Sequence, residues 1–329
     1  MKKLTWLMVG LYLVMCFAGV ALEAAPMNFA ETVVAMETEV YGQEKSGPYV
    51  ERINALETTI YGSISTMPVP DKLTRINKSL YDNSEQASLP LILKYAESQI
   101  LERVDSGAII PRVNKLEEKL VGRQDNGAVG QRLEKILKTA FKSGTVKVSD
   151  TNAPAKTLVK IRLLDALNSD ISRTGDTFRY ELVGQVTNGA NLIFPAGSPG
   201  VGKVVKAQSA GRFGKHGKLD LAYNSVAAID GTQVSLYLGE RAREQNKHAV
   251  AAAGASVVGA AILGPIGLIG GVFVEGKTVI LPVGTEFYIE VQNDTNVRGA
   301  ALEEQVHLTD PVIQAAPVQA PIASIRVTK

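Results

Sequence analysis

Along residues 32–144 the apolar positions return every 20 residues. Met36, Val40 and Tyr41 are matched by Leu56, Ile60 and Tyr61, then by Ile76, Leu80 and Tyr81, with Glu37, Glu57 and Asn77 in step beside them. Three further copies follow: Ala96, Glu97, Ile100 and Leu101; Leu116, Glu117, Leu120 and Val121; Ile136, Leu137, Ala140 and Phe141. An apolar residue three places before each copy (Val33, Ile53, Leu73, Leu93, Val113, Leu133) completes the spacing of a helix with one buried face. Each of the six units is therefore expected to hold about three turns of helix and a polar connection, with Gly42, Gly62 and Gly122 suited to left-handed C-terminal caps. Pro48, Pro68, Pro90 and Pro111 fall in the connections, where they can start the next helix but could not continue the last. Helices this short are marginal alone and must bury their stripes on each other, either as an extended solenoid or as a compact bundle. Glu57, Glu97 and Glu117 read as solvated, or as paired with basic residues such as Arg52 and Arg112, rather than as catalytic.

Near residue 145 the period changes to two. Phe178, Tyr180 and Leu182 alternate with polar residues, as do Leu219, Leu221 and Tyr223, Val234, Leu236 and Leu238, and Phe287, Ile289 and Val291. Turn signals at Gly175, Gly189 and Gly231 separate these strands, which predicts a mostly antiparallel barrel or sandwich. The expected fold is α+β in two domains. A signal segment covers 1–25, helical repeats 26–144, a linker 145–156, a β-domain 157–297 and a Pro/Ala-rich tail 298–329.

Within the β-domain an uncharged Gly/Ala-rich run, residues 249–274, interrupts the strand pattern, and Gly264 and Pro265 split it into two arms of ten to twelve residues. Each arm is short of the ~20 residues a bilayer-crossing helix needs. Ala255 and Gly259, and Gly267 and Gly271, place small residues four apart on one face, suited to close packing. If the strands before and after the run pair in one domain, the run must return to the side it left. It is then a re-entrant or oligomer-forming hairpin, or a buried one capping the barrel.

Two phrases in this region match: residues 192–198 (LIFPAGS) and 279–285 (VILPVGT), each an apolar strand ended by Pro and a small turn. With the strand after Gly200 and the strand pair around Asp230 and Gly231, they resemble the C-terminal β-barrel of the VirB-ten/TrbI family of conjugation and type IV secretion channels. The resemblance spans roughly residues 158–297. It implies an apolar helical insertion before the last strands that reaches into the outer membrane. That family's proline-rich periplasmic linker has no counterpart here; the six helical units stand in its place.

The formal charge is +2 and only 6% of residues are aromatic, so no nucleic-acid surface is indicated. Lys2 and Lys3, an apolar stretch over 4–22 and small residues at Ala21, Ala24 and Ala25 have the form of an export signal, cleaved or retained as an anchor. The expected location is the periplasm or outer envelope. Cys16 is the single cysteine, and His216, His248 and His307 show no ligand spacing, so no metal, cofactor or disulfide is expected. Residues 197–204 spell a phosphate loop except for Val204 in the hydroxyl position, and the alternation after Lys203 is a strand's, not a helix's. Lys203, Lys206, Arg212, Lys215 and Lys218 form a basic cluster able to contact anionic polymers or lipid head groups, or simply a solvated loop. No catalytic constellation can be named. The sequence therefore reads as a non-enzymatic envelope protein of structural, scaffolding or membrane-associating role, with partners in the membrane or envelope or among its own copies. A secretion or conjugation channel component is the alternative, and a polymer-binding protein a weaker one.

Overall fold

A computed structural model describes residues 28–211, 217–252, 271–274 and 278–303. The fold is α+β: six helices, then a mostly antiparallel β region. The helices are α1 (Phe29–Tyr41), α2 (Tyr49–Tyr61), α3 (Val69–Tyr81), α4 (Leu89–Ile100), α5 (Ile109–Val121) and α6 (Val129–Ala140). Gly42, Gly62 and Gly122 end α1, α2 and α5 in the left-handed conformation.

The helices wind into a tight superhelix. Beyond its neighbour α2, α1 packs on α3 and α5, while α2 also reaches α6, so the fifth helix comes back onto the first. The return brings small residues together: a Cβ on Gly42 would lie 3.3 Å from the Ala108 Cβ, and one on Gly62 3.4 Å from that of Ala128. The apolar stripes close into a single core from Val33 to Phe141. The arrangement is thus bundle-like rather than an open stalk.

The carboxylates beside the stripe are buried clasps between successive helices. Glu37 takes Arg52 at 2.6 and 2.9 Å, Glu97 takes Arg112 at 2.7 and 2.9 Å, and Glu117 takes Arg132 at 2.6 and 2.9 Å. Glu57 takes Lys72 at 2.8 Å. Each carboxylate also accepts a loop N–H eight residues on, from Lys45, Ser65, Asp105 and Asp125. Charges this deeply buried are tolerable because each carboxylate is paired with a cation and hydrogen-bonded on both oxygens. Burial excludes the solvated arrangement for these carboxylates, and each pairs with a basic residue one helix later.

Between α3 and α4 the clasp is missing, because Asn77 and Ile92 occupy its two positions. The β region docks there. Asn83 Nδ2 donates to the Asp230 carbonyl at 3.3 Å, Lys94 Nζ to that of Ile229 at 3.3 Å, and Arg298 to that of Ser84 at 2.7 Å. Farther along, Val104 N–H donates to the Ala196 carbonyl at 2.8 Å. Leu192, Ile229 and Ala300 complete the helical core from the β side.

Strands β2 (Leu158–Leu163), β4 (Thr177–Leu182), β7 (Pro199–Gln208), β8 (Gly217–Ala227), β9 (Gln233–Tyr237) and β12 (Glu286–Val291) pair in the circuit β8-β7-β4-β2-β12-β9 and back to β8. Every pairing is antiparallel, so the six form a closed barrel without free edges. Phe178, Tyr180, Tyr223 and Phe287 fill it, the Tyr223 ring meeting the other three edge-on. Gly200 and Gly202 make room for them, since a Cβ at either would lie 2.2 Å from the Tyr180 or Phe178 ring. The phosphate-loop spelling is therefore a strand whose glycines admit aromatic rings.

A second sheet runs β1 (Val148–Ala153), β13 (Thr295–Ala301), β6 (Asn191–Phe194), β5 (Val186–Asn188). Two sequence-drawn boundaries shift with it. Part of the 145–156 stretch expected as linker is strand β1, and the final strand runs to Ala301, into the expected tail, because β1 and β13 satisfy each other's backbone groups over six pairs. A short pair joins β3 (Leu167–Asn168) to β11 (Ile280–Leu281). The two matching phrases make the same turn: Gly197 N–H donates to Leu182 and Gly284 N–H to Leu163, while Leu182 and Leu163 donate back to Ser198 and Thr285.

Candidate functional site

The apolar run is anchored at one rim of the barrel. Its approach is helix α7 (Glu240–Ala252), which starts where Gly239 leaves space for the buried Glu290 carboxylate. Glu290 accepts from Ala242 N–H at 2.6 Å and from the Tyr237 hydroxyl at 3.2 Å. One turn on, the Asn246 amide brackets Tyr288, donating to its carbonyl at 2.9 Å and accepting from its N–H at 2.7 Å. These bonds lay α7 along β12, climbing toward the Glu286 end of that strand.

The exit is β10 (Gly271–Val274), which pairs antiparallel with residues 217–220 of β8. There β7 and β8 run on beyond β4, whose pairing with β7 stops at Lys203. Glu286 pairs with Arg162 near the end of β2, and Leu163 with Tyr180 in β4, so the Glu286 end of the barrel is also the end at which β7 and β8 extend. Both ends of the run thus leave from the same rim. β9 and β12, on either side of the run, pair directly.

Of the small residues singled out in the run, Gly271 opens β10, whereas Ala255, Gly259, Gly264, Pro265 and Gly267 lie outside the described residues. Of the run itself, residues 249–252 are the last turn of α7 and residues 271–274 are strand β10. Among the described residues no helix is long and apolar enough to cross a membrane.

The basic cluster borders this rim. Lys203 and Lys206 are exposed on β7, while Arg212 and Lys215 lie outside the described residues. Lys218 on β8 forms an ion pair with Asp220 at 2.8 Å, and Asp220 is also the cross-strand neighbour of Lys206. Part of the cluster is therefore neutralised in place. No group of three or more potential metal ligands converges among the described residues.

On the outer wall, Glu286 binds Lys160 at 2.7 Å and Arg162 at 2.6 Å, and Arg162 continues to Glu181, which Arg103 of the helical region also reaches at 3.0 Å. The Lys160 hydrogen bond, foremost, holds the Glu286 carboxyl below its ordinary range against the opposing effect of burial. Arg179 does the same for Asp165. Between superhelix and barrel, burial pushes the Lys94 ammonium below the usual lysine range.

Two surface hollows accompany these features. One of about 300 Å³ lies at the seam, lined by Glu39, Tyr81, Lys94 and Asp230 among others. A larger one, about 600 Å³, opens between α5 and α6 around Val121, Arg123, Lys135 and Thr139. Neither was anticipated from sequence, although the 20-residue register holds the signal for the second.

No family model matches the chain, and no curated protein does. Among solved structures, ComB10 of the Com type IV secretion system of Helicobacter pylori is similar over 44% of this chain and 88% of that one, at 12% identity and a TM-score of 0.24.

Proposed function

We propose that this chain is a non-catalytic structural component of a secretion or conjugation-type channel in the cell envelope. The observation that carries the reading is the anchoring of the uncharged run at a single barrel rim, entered by α7 and left by β10. The closed barrel itself has no free edge through which to add subunits, which makes its rim a natural place for association. An uncharged Gly/Ala-rich segment held at both ends at small entropic cost suits packing against a bilayer or against the same segment in other copies. In this reading residues 1–25 direct export, the superhelix is a rigid body set on the barrel wall, and Lys203 and Lys206 border the membrane or subunit contact.

The test is replacement of residues 253–270 by a short Gly/Ser link in the full chain, followed by envelope fractionation and native-mass measurement. The expected result is a folded, monomeric protein lost from the membrane fraction, beside a wild type that is membrane-associated and oligomeric. A wild type recovered wholly as a soluble monomer overturns the proposal. Membrane association without oligomers would favour the simpler scaffolding reading.

A further inference from the structure

The six-unit repeat shows what belongs in the hollow between α5 and α6. In the first unit Tyr41 lies across the groove between α1 and α2 and its hydroxyl meets Thr59 Oγ1 at 2.9 Å. In the second, Tyr61 lies across the groove between α2 and α3, meets Ser79 Oγ at 2.8 Å, and carries the Arg75 guanidinium 3.8 Å above its ring. Each tyrosine is the last residue of its helix, and its hydroxyl partner lies 18 residues on.

In the fifth unit the same register places Val121 where the tyrosines stand, Lys135 where Arg75 stands and Thr139 where Thr59 and Ser79 stand. The receiving groups are present and the ring is not. Valine is too short to cross the groove; its side chain is left 54% exposed, and the hollow of about 600 Å³ opens over Leu120, Lys135, Ile136 and Thr139. The charges are matched except for one. Arg132 is held by Glu117 at 2.6 Å and Lys135 by Asp125 at 2.5 Å, which leaves the exposed Arg123 guanidinium at the mouth.

We infer that this groove docks a partner protein through a tyrosine side chain flanked by carboxylates. The ring takes the place that Tyr41 and Tyr61 fill in their own grooves, under the Lys135 ammonium. Its hydroxyl bonds Thr139, and the flanking carboxylates meet Arg123. An aromatic side chain in a partly apolar slot with a hydroxyl partner and a cation at its face is the kind of anchor that dominates small interfaces. The inference stands apart from the channel reading, since it concerns the helical surface and needs neither the barrel rim nor the apolar run.

A fluorescently labelled peptide, acetyl-Glu-Glu-Tyr-Glu-Glu-amide, titrated by anisotropy into the full chain is the test. Binding is expected to weaken about tenfold or more when the peptide tyrosine becomes alanine, the scale of one lost anchor. Val121→Tyr supplies the ring in cis and should abolish binding while keeping or raising the thermal midpoint, and Thr139→Ala should weaken binding without unfolding. Arg123→Glu should weaken it too. Equal binding of the tyrosine and alanine peptides, or unchanged binding to Val121→Tyr, overturns the inference. So would a self-association of the wild type that Val121→Tyr removes, which would make the occupant a second copy.

Discussion

Arg112 grips Glu97 through two parallel hydrogen bonds of 2.7 and 2.9 Å, on a 15-residue offset that recurs at Arg52 with Glu37 and at Arg132 with Glu117. The pair joins α4 to α5 where both side chains are almost fully buried. Removing one partner strands the other in a dry site. Arg112→Ala is therefore expected to cost about 3–5 kcal/mol, against a smaller loss when both residues become apolar and of similar size. Urea unfolding of the single and double variants measures the difference; equal losses would mean the clasp is solvated.

Gly200 lies against the Tyr180 ring inside the barrel. Gly200→Ala puts a methyl group 2.2 Å from ring atoms, so the strand or the fully buried Tyr180 ring must shift. A loss of about 1–3 kcal/mol or more is expected in denaturant melts. Replacement of the exposed Val205 farther along the same strand, by contrast, should be nearly silent if made to threonine.

Gly197 holds the seam between barrel and superhelix, with φ +81 and a hypothetical Cβ 2.5 Å from the Val104 carbonyl. Gly197→Ala should cost about 1–3 kcal/mol through strain and the clash together. It should also speed tryptic cleavage at Arg103 and Lys142, read by mass spectrometry over a time course. Unchanged cleavage would show that the seam adapts.

The carboxyls of Glu286 and Asp165 titrate lower in the folded chain than in the unfolded one, through Lys160 and Arg179 foremost. Depressed carboxylate values give stability that is present in full above the unfolded value, about pH 4, and is lost as pH falls through the folded value. The thermal midpoint is thus expected to hold from neutral pH to about pH 5 and to drop below about pH 4. Glu286→Gln should be less stable at pH 7 and lose less on acidification. An acid limb as steep as the wild type's would remove Glu286 from the account.

Much of the architecture is written in local pattern. A fixed register of apolar residues with Gly and Pro between them leaves few choices but short stacked helices, and alternation of Phe178, Tyr180 and Leu182 leaves few but a strand. The clasps are different. Glu57 is in plain view beside the stripe, yet whether it is solvated or buried depends on how closely the next helix approaches, and Lys72 becomes its partner only after that approach. The groove at Val121 is subtler still, because an exposed valine at a helix end is unremarkable until the equivalent tyrosines are seen lying across their neighbours.

What the sequence by itself determined is the set of elements, since helix period, strand period and turn chemistry act within a few residues. Only the tertiary structure decided the rest: that the superhelix closes back on itself, bringing Gly42 beside Ala108 and Gly62 beside Ala128, and that the barrel docks where Asn77 and Ile92 break the clasp series. It likewise decided that residues 148–153 are a strand rather than a tether. Each of these rests on contacts between residues far apart in the chain, where packing and burial, not local preference, set the outcome.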